Sequence, residues 1–144
     1  MYEKLGCFIE GEWRTTNEIG QDVLNPANES VLAFLPHATE KDLEDALESA
    51  QRGFKIWRDT PVQKRASILH KTADLIEERA NQISHVITLE QGKPLREAKG
   101  EIFRTIETFR WNAELGIDNL EKRSVLRPNG LRQSVRVEPV GVAL

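Results

Sequence analysis

Cysteine is almost absent from this chain: Cys7 is the only one in 144 residues. A single thiol excludes an internal disulfide framework and any multi-cysteine metal site, and it fits a reducing compartment, so the expected location is cytoplasmic. Long apolar runs are missing as well. No stretch approaches the ~18 apolar residues of a membrane helix, and residues 1–13 lack the apolar region of a secretory signal, so neither a membrane partner nor an address label is expected. Charge of one sign is not in excess either, with 20 Lys+Arg against 23 Asp+Glu and a net charge of −3. Lys122, Arg123, Arg127, Arg132 and Arg136 form a basic cluster, but its nearest aromatics lie upstream and the chain as a whole is acidic, so no nucleic-acid partner is expected. There is no G-x-G-x-x-G, no Walker sequence and no H-E-x-x-H, and Gly92-Lys93-Pro94 has the wrong context for a phosphate loop.

What is present is ordinary globular material, 39% apolar and 30% charged. A chain of this length makes one domain that can bury about two-thirds of its surface. Short strands are predicted in Leu5 to Trp13, at Val23-Leu24 and from Val31 to Leu35, the last two flanking the turn Asn25-Pro26-Ala27-Asn28. Thr39 with Asp42 reads as a capping box, and Leu43, Ala46, Leu47, Ala50, Phe54 and Trp57 recur at helical spacing, which predicts a helix over about 40–57. Thr60, Pro61 and Gln63 read as the start of a second helix carrying Leu69, Ala73, Ile76 and Ala80. A shorter third helix holds Ile83, Val86 and Ile87 and ends at Gly92.

Pro94 opens a fourth helix with Leu95, Ala98, Ile102, Ile106, Phe109 and Ala113 on one stripe. Gly100, Arg104, Thr108 and Trp111 share a second face, which reads either as a solvated surface or as a place of close approach at the glycine. Asn129-Gly130 then predicts a β-hairpin with a two-residue loop, setting Leu126, Pro128, Leu131, Gln133 and Val135 on one apolar face and Arg127 against Arg132 on the other.

Catalytic candidates are weak on their own residues. Cys7 sits in an apolar strand with no nucleophile signature; His37, His70 and His85 lack zinc-ligand spacing and read as surface groups. Asp42, Glu44, Asp45, Glu48 and Glu77-Glu78 read as solvated helix faces.

Taken in order, the segments resemble the N-terminal portion of the aldehyde dehydrogenase family. The matching stretches are Ile9-Glu10-Gly11-Glu12-Trp13, Asn25-Pro26-Ala27, Val31-Leu32-Ala33, the helix reaching Trp57, Arg65 with Leu69 and Leu75, Thr88-Leu89-Glu90-Gln91-Gly92-Lys93-Pro94, and Glu138-Pro139-Val140-Gly141-Val142. The resemblance implies an α/β fold, α+β in the part at hand, as a single incomplete domain. Strands and turns occupy 1–38, helices 39–116, and an oligomerisation-type hairpin with the start of the next strand 117–144. It implies oxidation of an aldehyde to a carboxylate with hydride transfer to NAD or NADP, through a thiohemiacetal and a thioester on a catalytic cysteine.

The family's Pro-Trp-Asn motif, nucleotide lysine, glycine-rich turn, general-base glutamate and nucleophilic cysteine have no counterpart here. Catalytic and cofactor-binding residues are therefore expected to be none, with no cofactor bound to this chain and no turnover by it alone. The resemblance further sets the fourth helix beside the aldehyde tunnel, and Arg104 where some members with anionic substrates hold a carboxylate or phosphate tail. It sets the Leu24 carbonyl oxygen and Glu90 at positions that hold a monovalent cation in some members, and makes the 124–137 hairpin an arm joining subunits. The alternative expectation is a noncatalytic, partner-binding or self-associating module. The apolar ending Val142-Ala143-Leu144 favours a fragment or an interrupted reading frame over that module.

Overall fold

The structure is a computed structural model that describes residues 5–14, 19–119, 123–135 and 137–143. Its chain order is strands β1 (Cys7–Ile9), β2 (Glu12–Arg14), β3 (Gly20–Leu24) and β4 (Val31–Pro36), helices α1 (Glu40–Asp59), α2 (Val62–Glu78), α3 (Ala80–Gln91) and α4 (Leu95–Asn119), then β5 (Arg123–Leu126) and β6 (Arg132–Val135). The strands form three separate antiparallel pairs, so a mixed α/β chain is observed without a continuous sheet among the described residues.

Local chemistry explains most of these boundaries. In β1–β2 the turn residues Glu10 and Gly11 both have positive φ (54° and 87°), the twist that suits a two-residue hairpin, and Phe8 faces Trp13 with ring centroids 5.2 Å apart. In β3–β4 the Asn25 side chain accepts from the Ala27 amide at 2.9 Å, so the asparagine stabilises its own turn. The capping box of α1 forms as expected: Asp42 N–H donates to the Thr39 hydroxyl at 3.2 Å, and Thr39 N–H donates to the Asp42 carboxylate at 2.9 Å. Gly92 ends α3 in the left-handed conformation (φ 72°), its N–H donating to the Thr88 carbonyl at 2.9 Å.

The core is the contact of α2, α3 and α4. Ala73, Ile102 and Ile106 are buried, with Ile76, Ala80, Ile83, Ile87 and Phe109 packed against them. Ala98 and Ala113 of the predicted α4 stripe are buried too. No residue of α1 is buried. The chain exposes 11,419 Å², where a compact monomer of this mass exposes about 7,500 Å², so much of the burial available to this length is not realised within the chain itself.

Three expectations are corrected. Thr60 does not cap α2: it closes α1, its hydroxyl donating to the Ile56 carbonyl at 2.7 Å, and α2 begins from Pro61 with no side-chain cap. A threonine hydroxyl reaches the carbonyl four residues back as readily as the amides ahead, and here the backward bond forms. Gly100 is not a close approach, because an added Cβ would meet nothing within 4 Å.

The third correction is the last hairpin, which is one residue out of the expected register. Leu126 faces Arg132 and Val125 faces Gln133. The loop is longer than two residues: Gly130 N–H donates to the Arg127 carbonyl at 2.9 Å, Arg127 N–H donates to the Leu131 carbonyl at 2.8 Å, and Gly130 alone takes a positive φ (79°). Pro128 favours the first position of an ordinary type I turn, which overrides the Asn-Gly signal and adds a glycine bulge. The slip separates Leu126 from Gln133 and Val135, which share a face with Val125 instead, so the expected apolar face does not exist, and Arg127 binds the Gln133 side chain at 2.8 Å instead of meeting Arg132. Lys122 and Arg136 of the basic cluster, and Leu144, lie outside the described residues.

Candidate functional site

Helix α4 is positioned by its buried stripe, and its opposite side carries the candidate substrate residue. Arg104 is exposed, and its guanidinium has no ion-pair partner among the described residues. It lines a shallow depression with Glu101, Thr105, Thr108 and Phe109. The hydroxyls of Thr105 and Thr108 donate back to the Glu101 and Arg104 carbonyls at 2.9 and 2.8 Å. Their protons are thereby committed, so Arg104 is the side chain left to donate to an anion there. Trp111 is exposed farther along the same helix.

Pro26 and Gly92, each two residues beyond Leu24 and Glu90 respectively, pack against one another. A Cβ on Gly92 would stand 2.9 Å from the Pro26 ring, so the turn after β3 lies directly on the end of α3. The β3–β4 register shifts between Val23 and Leu24, and Glu90 is exposed on the last turn of α3. On that same turn the Thr88 hydroxyl oxygen is buried with no hydrogen-bond partner. A backbone carbonyl, a carboxylate and a hydroxyl are all oxygen donors, the ligand type a hard cation takes. Among the described residues there is no group of three or more His, Cys, Asp or Glu that could hold a metal ion.

The Gly92-Lys93-Pro94 turn is no phosphate loop, as its sequence context implies. The Gly92 amide is already bonded to Thr88, and Pro94 has no N–H, so the Gly-Lys-Pro turn offers no cradle of amides to a phosphate.

Titration is displaced mainly where ion pairs serve the fold. Asp42 is held below the usual carboxylate range first by the Thr39 hydroxyl and amide and then by Arg14, which donates to it at 3.2 Å. Asp45 is lowered first by Arg14 at 2.6 Å and then by Lys41. Arg110 is raised by Glu77 and Asp74, clamping α4 to α2. The acidic residues of the α1 start thus do structural work.

One grouping was not legible in the sequence. Cys7 and His37 line a single small cavity with Arg14, Lys41 and Asp42, because the β1–β2 hairpin folds against the start of α1. Arg14 is already spent on the two aspartates, and Cys7 is half-buried in β1. His70 bonds to Glu114 at 2.9 Å and His85 to the Asn81 carbonyl at 3.0 Å, on helix surfaces as expected.

A family model described as the aldehyde dehydrogenase family matches residues 13–144. The chain belongs to that family. It is 34% identical over 141 residues to a malonate-semialdehyde dehydrogenase of Bacillus pumilus, covering 97% of this chain and 29% of that one. Among solved structures it is similar to aldehyde dehydrogenase 21 of Physcomitrella patens in complex with the reaction product succinate. That likeness has a TM-score of 0.82 and 26% identity, and covers 92% of this chain and 28% of that one. It is also similar to a double-mutant betaine aldehyde dehydrogenase of Staphylococcus aureus in complex with NAD+, with a TM-score of 0.80, 26% identity, and coverage of 87% and 25%.

The chain thus spans less than a third of the length of these aldehyde dehydrogenases and corresponds to their N-terminal portion. Among the described residues no helix is long and apolar enough to cross a membrane.

Proposed function

We propose that this chain supplies the N-terminal part of an NAD- or NADP-dependent aldehyde dehydrogenase acting on an aldehyde with an anionic tail, a semialdehyde above all. The observation that carries the reading is the exposed, unpaired guanidinium of Arg104 on α4. It occurs in a chain similar to a malonate-semialdehyde dehydrogenase and to an enzyme seen with succinate. The planar fork of a guanidinium matches a carboxylate through two N–H donors, so Arg104 holds the tail while chemistry proceeds at the other end of the substrate.

The chemistry itself needs a nucleophile, a base and oxyanion donors converging on one carbon. The family's nucleophilic cysteine, general-base glutamate and Pro-Trp-Asn asparagine have no counterpart in this sequence, so the reading gives this chain no catalytic residue and no turnover alone. Leu24, through its carbonyl oxygen, and Glu90 hold a monovalent cation; the contact of Pro26 with Gly92 and the unsatisfied Thr88 hydroxyl support that assignment.

A second reading, a noncatalytic module that self-associates through the 124–137 hairpin and exposed helix faces, is favoured by the 11,419 Å² of exposed surface and by β6, every residue of which is exposed. Cytoplasmic placement rests on the single cysteine.

The test joins residues 1–144 to the remainder of a full-length relative and compares aldehydes. Arg104→Leu should weaken kcat/KM for a carboxylated aldehyde by about 1.5–3 kcal/mol, the scale of a charged hydrogen bond, and leave an uncharged aldehyde of similar length unchanged. Equal retention of both substrates overturns the assignment of Arg104. The 144-residue chain should produce neither NADH nor NADPH, and turnover that survives Cys7→Ala overturns that part of the reading. Sedimentation should show association, and a monomer at all concentrations removes the second reading.

A further inference from the structure

Arg104 has two carboxylates within helical reach, Glu101 three residues before it and Glu107 three residues after it, while Gly100 and Thr108, four residues away, carry no charge. An acidic residue preceding its basic partner is the better-oriented arrangement on a helix, so Glu101 is the stronger competitor for the guanidinium. Glu101 is nevertheless engaged elsewhere. Lys93, in the Gly-Lys-Pro linker before α4, donates to its carboxylate at 2.5 Å. The Lys93 side chain is only 22% exposed, so much of its motion is already lost to packing and the ammonium is held where it stands.

We propose that Lys93 is a positioning residue for anion recognition: it holds Glu101 off Arg104 and so keeps the guanidinium charge available in the α4 depression. The inference rests on Arg104 being the anion holder. A lysine outside the depression thereby sets the charge inside it, because its bond to Glu101 Oε1 holds that carboxylate where it makes no ion pair with Arg104. Removing Lys93 releases Glu101 toward Arg104, where it pairs with the guanidinium and repels an incoming carboxylate.

The test follows the Arg104 Nε–Hε resonance of the 144-residue chain during addition of sodium succinate, against sodium chloride of equal ionic strength. The resonance is identified by its loss in Arg104→Leu. The native chain should shift saturably with succinate, and Lys93→Gln should weaken the apparent affinity about 3-fold, from the added like charge a few ångströms away. Lys93→Gln combined with Glu101→Gln should return to the native value. Lys99→Gln, which removes the same charge from the exposed side of α4 without freeing a carboxylate, should leave the affinity unchanged.

If succinate does not shift the native resonance, the Arg104 reading falls and this proposal with it. If the native chain responds and Lys93→Gln responds equally, or Lys99→Gln weakens binding as much as Lys93→Gln does, the proposal alone is overturned. If Lys93→Gln perturbs the helical signal, the double variant decides: failure to recover affinity with native helicity overturns the proposal.

Discussion

Helices α1 and α4 both set apolar residues three and four apart, yet α4 buries Ala98, Ile102, Ile106 and Ala113 while Leu43, Leu47, Ile56 and Trp57 of α1 stay exposed. The difference is supply. Helix α4 finds α2 and α3 beside it in the same chain, joined by short connections, and closes a core with them. Helix α1 is held through charges instead: Arg14 from β2 on Asp42 and Asp45, and its own Arg52 on Glu10 of the first hairpin. A periodic pattern states that a face needs covering; it does not state that the cover lies within these 144 residues.

The comparison is broken most directly by cutting a side chain from each helix. Ile106→Ala should cost about 3 kcal/mol, the usual loss for a buried isoleucine reduced to alanine, read by urea unfolding with circular dichroism. A loss under about 1 kcal/mol would mean that the α2–α4 core does not govern stability. Next in size is Gly92→Ala, which forces an L side chain into φ 72° with its Cβ against Pro26. It should cost about 1–2 kcal/mol and loosen the turn after β3 together with the end of α3. Hydrogen exchange that changes at α3 but not at Asn25 to Asn28 would show that the two are not coupled.

Acid should then separate the helices without any mutation. Asp42 and Asp45 have folded pKa values below their unfolded ones, so their contribution is complete above the ordinary carboxylate value. It is lost as pH falls through that value toward the depressed folded ones. Helix α1 amides should accordingly lose exchange protection in that window before those of α4, and simultaneous loss would deny α1 its separate, ionic attachment. The smallest effect is Leu43→Ala on α1, expected within about 0.5 kcal/mol because most of that side chain is already in water. A cost comparable to that of Ile106→Ala would place a partner on α1 in solution.

Legibility of the fold followed the strength of local signals. The Thr39-Asp42 box, the Gly92 stop and the α4 stripe were all readable, because each is decided within a few residues. The last hairpin was not, since Asn129-Gly130 and Pro128 ask for different turns and a single residue of register turns every side chain over. Thr60 was ambiguous for a similar reason, as its hydroxyl has acceptors behind it and donors ahead. For the site, resemblance nominated Arg104, Leu24 and Glu90, but no sequence rule shows that Lys93 occupies Glu101. That contact joins residues eight apart across a helix start, beyond the three-and-four spacing within a helix.

Arg65 bridges the junction between α1 and α2. Arg65 Nη1 donates to the Thr60 carbonyl at 2.6 Å and to the Trp57 carbonyl at 3.3 Å, gripping the last turn of one helix from the first turn of the next. Helix α1 has 20 residues, about 30 Å at 1.5 Å per residue, and so behaves as a lever pivoted at that guanidinium. A rotation of about 5° at the pivot carries its far end roughly 2.6 Å, on the scale of a single hydrogen bond. Mechanical tolerance at Arg65 therefore sets whether Asp42 and Asp45 arrive within reach of Arg14, and a loosened pivot would be felt first at the opposite end of the helix.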